Sequence, residues 1–412
     1  MSINKKRVRQ IFDEIMRQIY VGIPTQSRKT ERLFVIEGFA MTLFGRSKEL
    51  FNECVEEILK EKSVASSTSR DFIENLVARW IKACVENDIS DTEHIIKEGL
   101  AIFEGKLNRY ELSVPIDNLI LKDLSLLIGN VRLFKFDDFA LGNWFEKYTG
   151  YSVDKKHAIG KRVEPLKDRA IAHVIVHAFD EKQAVEIARQ EVESVLNVLR
   201  WVGFYINGSI QRAWIGMSGE VHRQLSLPSI LEQSDKVTLP RAMQGALRPY
   251  EIGERVAIYY TKFGLSNISR ILKKPIQKRS EMEKRLLTAV NFFGKAVQET
   301  DPVDAFLKTT IAMETLLLRD NNTEPITGNL SERTAFLLKD TLDGRLELRR
   351  LVSTLYGTRS RIAHHGSTDE AMASLPTIQN ICFDLLYKVA SIIDKHETVE
   401  SLVGWIDELK FS

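Results

Sequence analysis

The chain has 412 residues, 44% hydrophobic and 28% charged, which is enough apolar side chain for two or three buried cores and excludes disorder as the default state. Lys and Arg number 58 against 56 Asp and Glu, a net charge of +2, so the surface as a whole is not built for a polyanion and any nucleic-acid surface must be local. Cys54, Cys84 and Cys382 are scattered with no CxxC pair, which argues against a disulfide framework or a zinc knuckle.

The first twenty residues are charged and amphipathic, without the apolar core of a signal peptide, and no later run is long and apolar enough to span a bilayer. A cytoplasmic protein with no membrane role is the expectation. From Lys5 to about Ile102 the pattern reads as helical, beginning with Val8, Ile11, Phe12, Ile15 and Ile19 at spacings of three and four. The small polar stretch SVASSTSRD breaks it, and Ser69 or Asp71 is placed to cap the helix that follows. Residues 1–105 therefore read as a helical region.

Between Pro115 and Gly129 the Leu, Ile and Val residues alternate in a way that favours strands. AIAHVIVHAFD reads as a further strand, followed by a helix carrying the stripe Ala184, Ile187, Ala188, Val192, Val195 and Leu196. Short apolar stretches at 205–265, such as RAWIGMSGEV and KVTLP, read as strands or loops. Residues 106–270 thus form a mixed α+β region. RILKKPIQKR at 270–279 has five basic residues, no acid and Pro275, and reads as a solvated linker. Residues 271–412 return to helical periodicity in four pieces, a natural bundle. The fold class is mainly α with a central α+β region and a C-terminal helical bundle.

Several motifs fail on their spacing. In GFAMTLFGRS six residues separate Gly38 from Gly45 where a phosphate-binding loop needs four, and Arg46 stands in place of its lysine. His173 and His177 have the spacing of a helical zinc pair, but the Val-Ile-Val between them favours a strand, so both read as structural. GxSxG and GxGxxG are absent.

The remaining concentration of chemistry lies in the C-terminal region. Arg345, Arg349, Arg350, Arg359 and Arg361 stand against one acid, Glu347, a composition suited to phosphate. His364 and His365 follow at the end of the same helix, before Gly366, which suits a left-handed helix stop. The helix dipole favours imidazolium there and the arginines oppose it, so a titration point near neutrality, useful for proton transfer, is expected.

LSERTAFLLKD followed by LYGTRSRIAHHG resembles the HEPN superfamily, in particular its Apea-like branch, over roughly the last third of the chain. The match rests on Arg359-Ser360-Arg361-Ile362-Ala363-His364, an arginine and a histidine with four residues between them, with Tyr356 and Glu314 at further family positions. The resemblance implies a HEPN-like bundle and a metal-independent endoribonuclease without cofactor, acting in antiviral defence, abortive infection or a toxin system. It also implies a homodimer through the C-terminal region.

In that reading His364 transfers protons and Arg359 clamps phosphate. Ser360, Arg361 and His365 are auxiliary, Arg349 and Arg350 extend the RNA groove, Tyr356 is mostly packing, and Glu314 sits in a structural ion pair. On an ideal helix Arg359 and His364 lie about 140° apart, so either the helix end is irregular or two protomers share the site. RNA is the expected partner, with a regulatory protein or a phage-derived trigger as a further one. Two other classes stay open: a non-catalytic module binding RNA or a nucleotide, and a dimeric scaffold whose Arg361 and His365 meet acidic partner residues.

Overall fold

A computed structural model describes residues 3–21, 32–36, 39–89, 91–122, 125–137, 166–207, 214–218, 231–233, 236–238, 250–253, 265–320, 325–365 and 368–410. The chain is mainly α-helical with a small sheet region, and no described helix is long and apolar enough to cross a membrane. Its internal contacts define two compact units: Met1–Leu112 with Ile175–Arg189, and Ser113–Val174 with Gln190–Ser412.

The first unit opens with α1 (Lys5–Gln18), whose Val8, Ile11, Phe12 and Ile15 are buried as their spacing predicts. The expectation of helix throughout is corrected at the next segment. Strands β1 (Tyr20–Val21), β2 (Arg32–Ile36) and β3 (Phe39–Leu43) form an antiparallel sheet in the order β1-β3-β2, with Ile36 opposite Phe39. The run Leu33-Phe34-Val35-Ile36 is aromatic and β-branched, which fits a pleated surface better than a helix. Helices α2 (Arg46–Leu59), α3 (Arg70–Glu86) and α4 (Thr92–Ala101) follow in the same unit. The Ser69 hydroxyl caps α3 by accepting from the Phe72 amide at 3.2 Å. Phe12 and Phe51 fill the core, with Phe12 edge-on to Trp80 at 5.9 Å.

The strand-rich centre supplies β4 (Asn108–Asp117), β5 (Leu119–Leu121), β6 (Leu126–Ile128), β7 (Val131–Lys135) and β8 (Ala170–Ala178). Further strands are β9 (Gly216–Met217), β10 (Leu231–Gln233), β11 (Lys236–Thr238) and β12 (Tyr250–Ile252). The main sheet has the order β6-β7-β8-β4-β9. His173 and His177 lie on β8, not on a helix, and His173 Nδ1 is 3.2 Å from the Ser113 hydroxyl. Helix α5 (Glu181–Asn207) follows β8, as the stripe predicts.

The helices of the second unit continue with α6 (Ser266–Lys273), α7 (Glu281–Gln298), α8 (Pro302–Leu317) and α9 (Ile326–Leu338). They end with α10 (Leu342–His365), α11 (Thr368–Ile392) and α12 (Val399–Glu408). The segment 270–279 departs from the expected solvated linker. Arg279 donates from Nε to the carbonyls of Ile271 and Lys274 and from Nη2 to that of Leu272, closing the carbonyls left open where α6 ends. Arg270 pairs with Asp394, and Lys274 donates to Glu283 at 2.6 Å. Glu283 in turn completes a capping box with Ser280 at the start of α7.

A buried polar network lies beneath these helices. Arg200, 3% exposed, donates to Glu193 and Asn197 at 2.6 Å each and to the Ile215 carbonyl at 2.7 Å. Asn197 donates to Asn291 at 3.3 Å, and a Cβ at Gly294 would lie 2.6 Å from Asn197 Oδ1, so α5 and α7 meet at a contact that glycine alone permits.

Candidate functional site

Helix α10 buries Leu348, Val352, Leu355, Thr358 and Ile362 at spacings of three and four. That stripe leaves Tyr356 and Arg359 at its margin, one turn apart and half-buried. Helix α8 buries Ala312, Met313, Leu316 and Leu317 and presents Glu314 from the edge of its own apolar face.

The three margins meet. Arg359 Nε lies 3.0 Å from Glu314 Oε1, with 31% and 21% of the two side chains exposed. The approach is off the hydrogen-bond axis, so the contact is an ion pair, and both atoms are shielded from water without a hydrogen-bond partner. The guanidinium also sits over the Tyr356 ring, 5.4 Å from its centroid. Burial, reinforced by the neighbouring Glu314 charge and opposed by Arg359, pushes the Tyr356 phenol up to about 12. With Nε held by Glu314, the two terminal nitrogens of Arg359 are the donors left for a phosphate.

Arg361 points elsewhere. Its Nε donates to Glu370 on α11 at 2.9 Å and its Nη2 to the Thr358 hydroxyl at 3.0 Å. Ser360 is exposed. Arg349 and Arg350 are exposed further back on α10, Arg349 lying 4.0 Å from Glu332. Arg345 donates to the Lys339 carbonyl at 2.9 Å and stacks on Phe336 at 4.5 Å, which ties it to the end of α9.

The backbone of His364 and His365 continues α10 without interruption, so Arg359 and His364 stand on one helix. The side chains of His364 and His365, and Gly366 altogether, lie outside the described residues. The structure therefore gathers Arg359, Glu314 and Tyr356 into one contact group and places Arg361 in a second group with Thr358 and Glu370.

Thr358 and Glu370 were not singled out from sequence. The available signal for Glu370 was its place beside Asp369 in the first turn of α11, where the helix dipole favours acids and a preceding basic helix end lies close. The chain matches no family model, no curated protein and no solved structure.

Proposed function

We propose that the C-terminal helices form a HEPN-like bundle that cleaves RNA without metal, as a dimeric effector in defence or in a toxin system. The reading rests on the Arg359-x4-His364 motif and on the guanidinium held by Glu314 and Tyr356, at the margin of the helix that carries His364. A clamp of this kind must be rigid and cationic before substrate arrives, because stabilising a pentacovalent phosphate depends on donors that need no reorganisation.

In the reaction the substrate 2′-oxygen attacks the adjacent phosphorus as a base removes its proton. The 5′-oxygen leaves as an acid protonates it, giving a 2′,3′-cyclic phosphate and a 5′-hydroxyl with no net gain of atoms. His364 is the proton-transfer group and Arg359 the phosphate clamp, with Arg361 and His365 as outer contacts. Two residues about 140° apart on one continuous helix do not converge on a single phosphate. The site is therefore completed across a two-fold dimer, one protomer giving His364 and the other Arg359.

The second reading, a dimeric scaffold or binding module, draws on the engagement of Arg359 and Arg361 by carboxylates, which a purely structural bundle also produces. Cleavage of a mixed RNA pool in EDTA by the wild type and by His364→Ala separates the two. Cyclic-phosphate ends that vanish in the variant are expected. Equal cleavage by both proteins, or none by either, overturns the nuclease reading.

A further inference from the structure

The first unit contains a cavity of about 370 Å³ between the start of α1 and the face of α4, lined by Lys5, Lys6, Arg9, Glu93, Ile96 and Lys97. Its size is that of a small-molecule site, within the roughly 300–1,000 Å³ usual for ligand pockets. Its composition is unusual for this unit. Four of the six residues are cations, and Ile96, only 2% exposed, supplies an apolar floor continuous with the core.

The cations are not all committed to the fold. Arg9 is engaged by Glu93 and lies 3.9 Å from both Asp13 and Asp91, and Lys5 is 3.6 Å from Glu104. Lys6 and Lys97, both exposed, have no acidic partner among the described residues. Several other cations of the unit are paired with acids: Arg7 with Glu53, Arg32 with Glu74, Arg46 with Glu49, Lys60 with Glu57, Arg70 with Glu56 and Lys182 with Asp71. The first turn of α1 holds no acid, although Lys5, Lys6 and Arg7 there oppose the helix dipole. Lys6 and Lys97 thus present two unpaired ammonium groups at one concave place.

We propose that this cavity binds a small organic phosphate, of the size of a mononucleotide. Lys6 and Lys97 take the phosphate, the methylene stems of the lining lysines cover the apolar part, and Glu93 is the acceptor for a hydroxyl or amino group. A nucleic-acid backbone is the other source of the same phosphate chemistry, but a protein that follows a backbone makes several phosphate contacts, roughly 6–10. Two free lysines flanked by ion-paired neighbours hold one phosphate and do not track a chain.

The test uses the full chain carrying His364→Ala, so that RNA is not consumed, and needs no nuclease activity. Binding of AMP, adenosine and a twenty-nucleotide single-stranded RNA is measured by titration calorimetry, with and without K6E/K97E and with circular dichroism to verify folding. The expected result is that AMP binds, adenosine binds at least tenfold more weakly, and the folded double variant loses AMP affinity by tenfold or more. K6Q/K97Q provides the same test if the charge reversal fails to fold. Absence of AMP binding, equal binding of adenosine, or binding unchanged in the variant overturns the proposal. RNA binding that depends on Lys6 and Lys97 in the absence of AMP binding assigns the phosphate to a nucleic-acid backbone and overturns the small-ligand assignment.

Discussion

Replacing Glu314 by Gln removes the charge that holds Arg359 while keeping the shape of the side chain. At 3.0 Å the gross attraction between the two ions is about 5.5 kcal/mol at an effective dielectric constant of about 20, and desolvation of both ions offsets most of it. Because 31% and 21% of the two side chains remain exposed, water screens the pair further, leaving a net coupling of about 1 kcal/mol. The assay is urea unfolding of the wild type, Glu314→Gln, Arg359→Met and the double variant, read as a double-mutant cycle. Each single variant should lose about 1–2 kcal/mol, since it strands a partly buried partner, and the double variant should lose less than the sum. A coupling below about 0.3 kcal/mol would refute the claim that Glu314 holds Arg359 in place.

Two further outcomes follow from the packing around Tyr356 and Gly294. Tyr356 should ionise at about 12, seen by absorbance as the difference between the wild type and Tyr356→Phe, and Glu314→Gln should lower that value by removing the second contributor to the shift. Since the folded state holds this proton more tightly than the unfolded one, the contribution of Tyr356 to stability is complete below about pH 10 and is lost as pH rises toward 12; a difference transition at the ordinary phenol value contradicts it. Gly294→Ala sets a methyl 2.6 Å from Asn197 Oδ1 and 2.7 Å from its Cα, so α5 and α7 must separate at a cost of about 1–3 kcal/mol. A denaturation midpoint equal to or above that of the wild type would show that the helices are not in tight contact there.

Much of the helical architecture was legible from residue spacing and end signals. The stripe Val8, Ile11, Phe12, Ile15 is buried in α1, Ser69 caps the helix after SVASSTSRD, and AIAHVIVHAFD followed by a helical stripe is β8 followed by α5. These are properties of neighbours within a few residues, and the chemistry of a helix turn or a strand pleat expresses itself over the same range. The helical reading failed at β2 and β3, where a short apolar run fits either period and only pairing of Ile36 with Phe39 decides for the sheet.

What the chain does with its arginines was settled at longer range. Sequence placed Arg345, Arg349, Arg350, Arg359 and Arg361 in one basic cluster, because charge can be counted along a helix without knowing what faces it. Packing sorted them: Arg345 to the end of α9, Arg361 to Glu370, and Arg359 to a glutamate 45 positions earlier on another helix. Arg279 was likewise basic residue and nothing more until the fold brought three carbonyls to it. Periodicity determines which face of a helix is buried; the identity of the partner that meets a polar group at the edge of that face depends on where other helices cross, and only the tertiary structure holds that information.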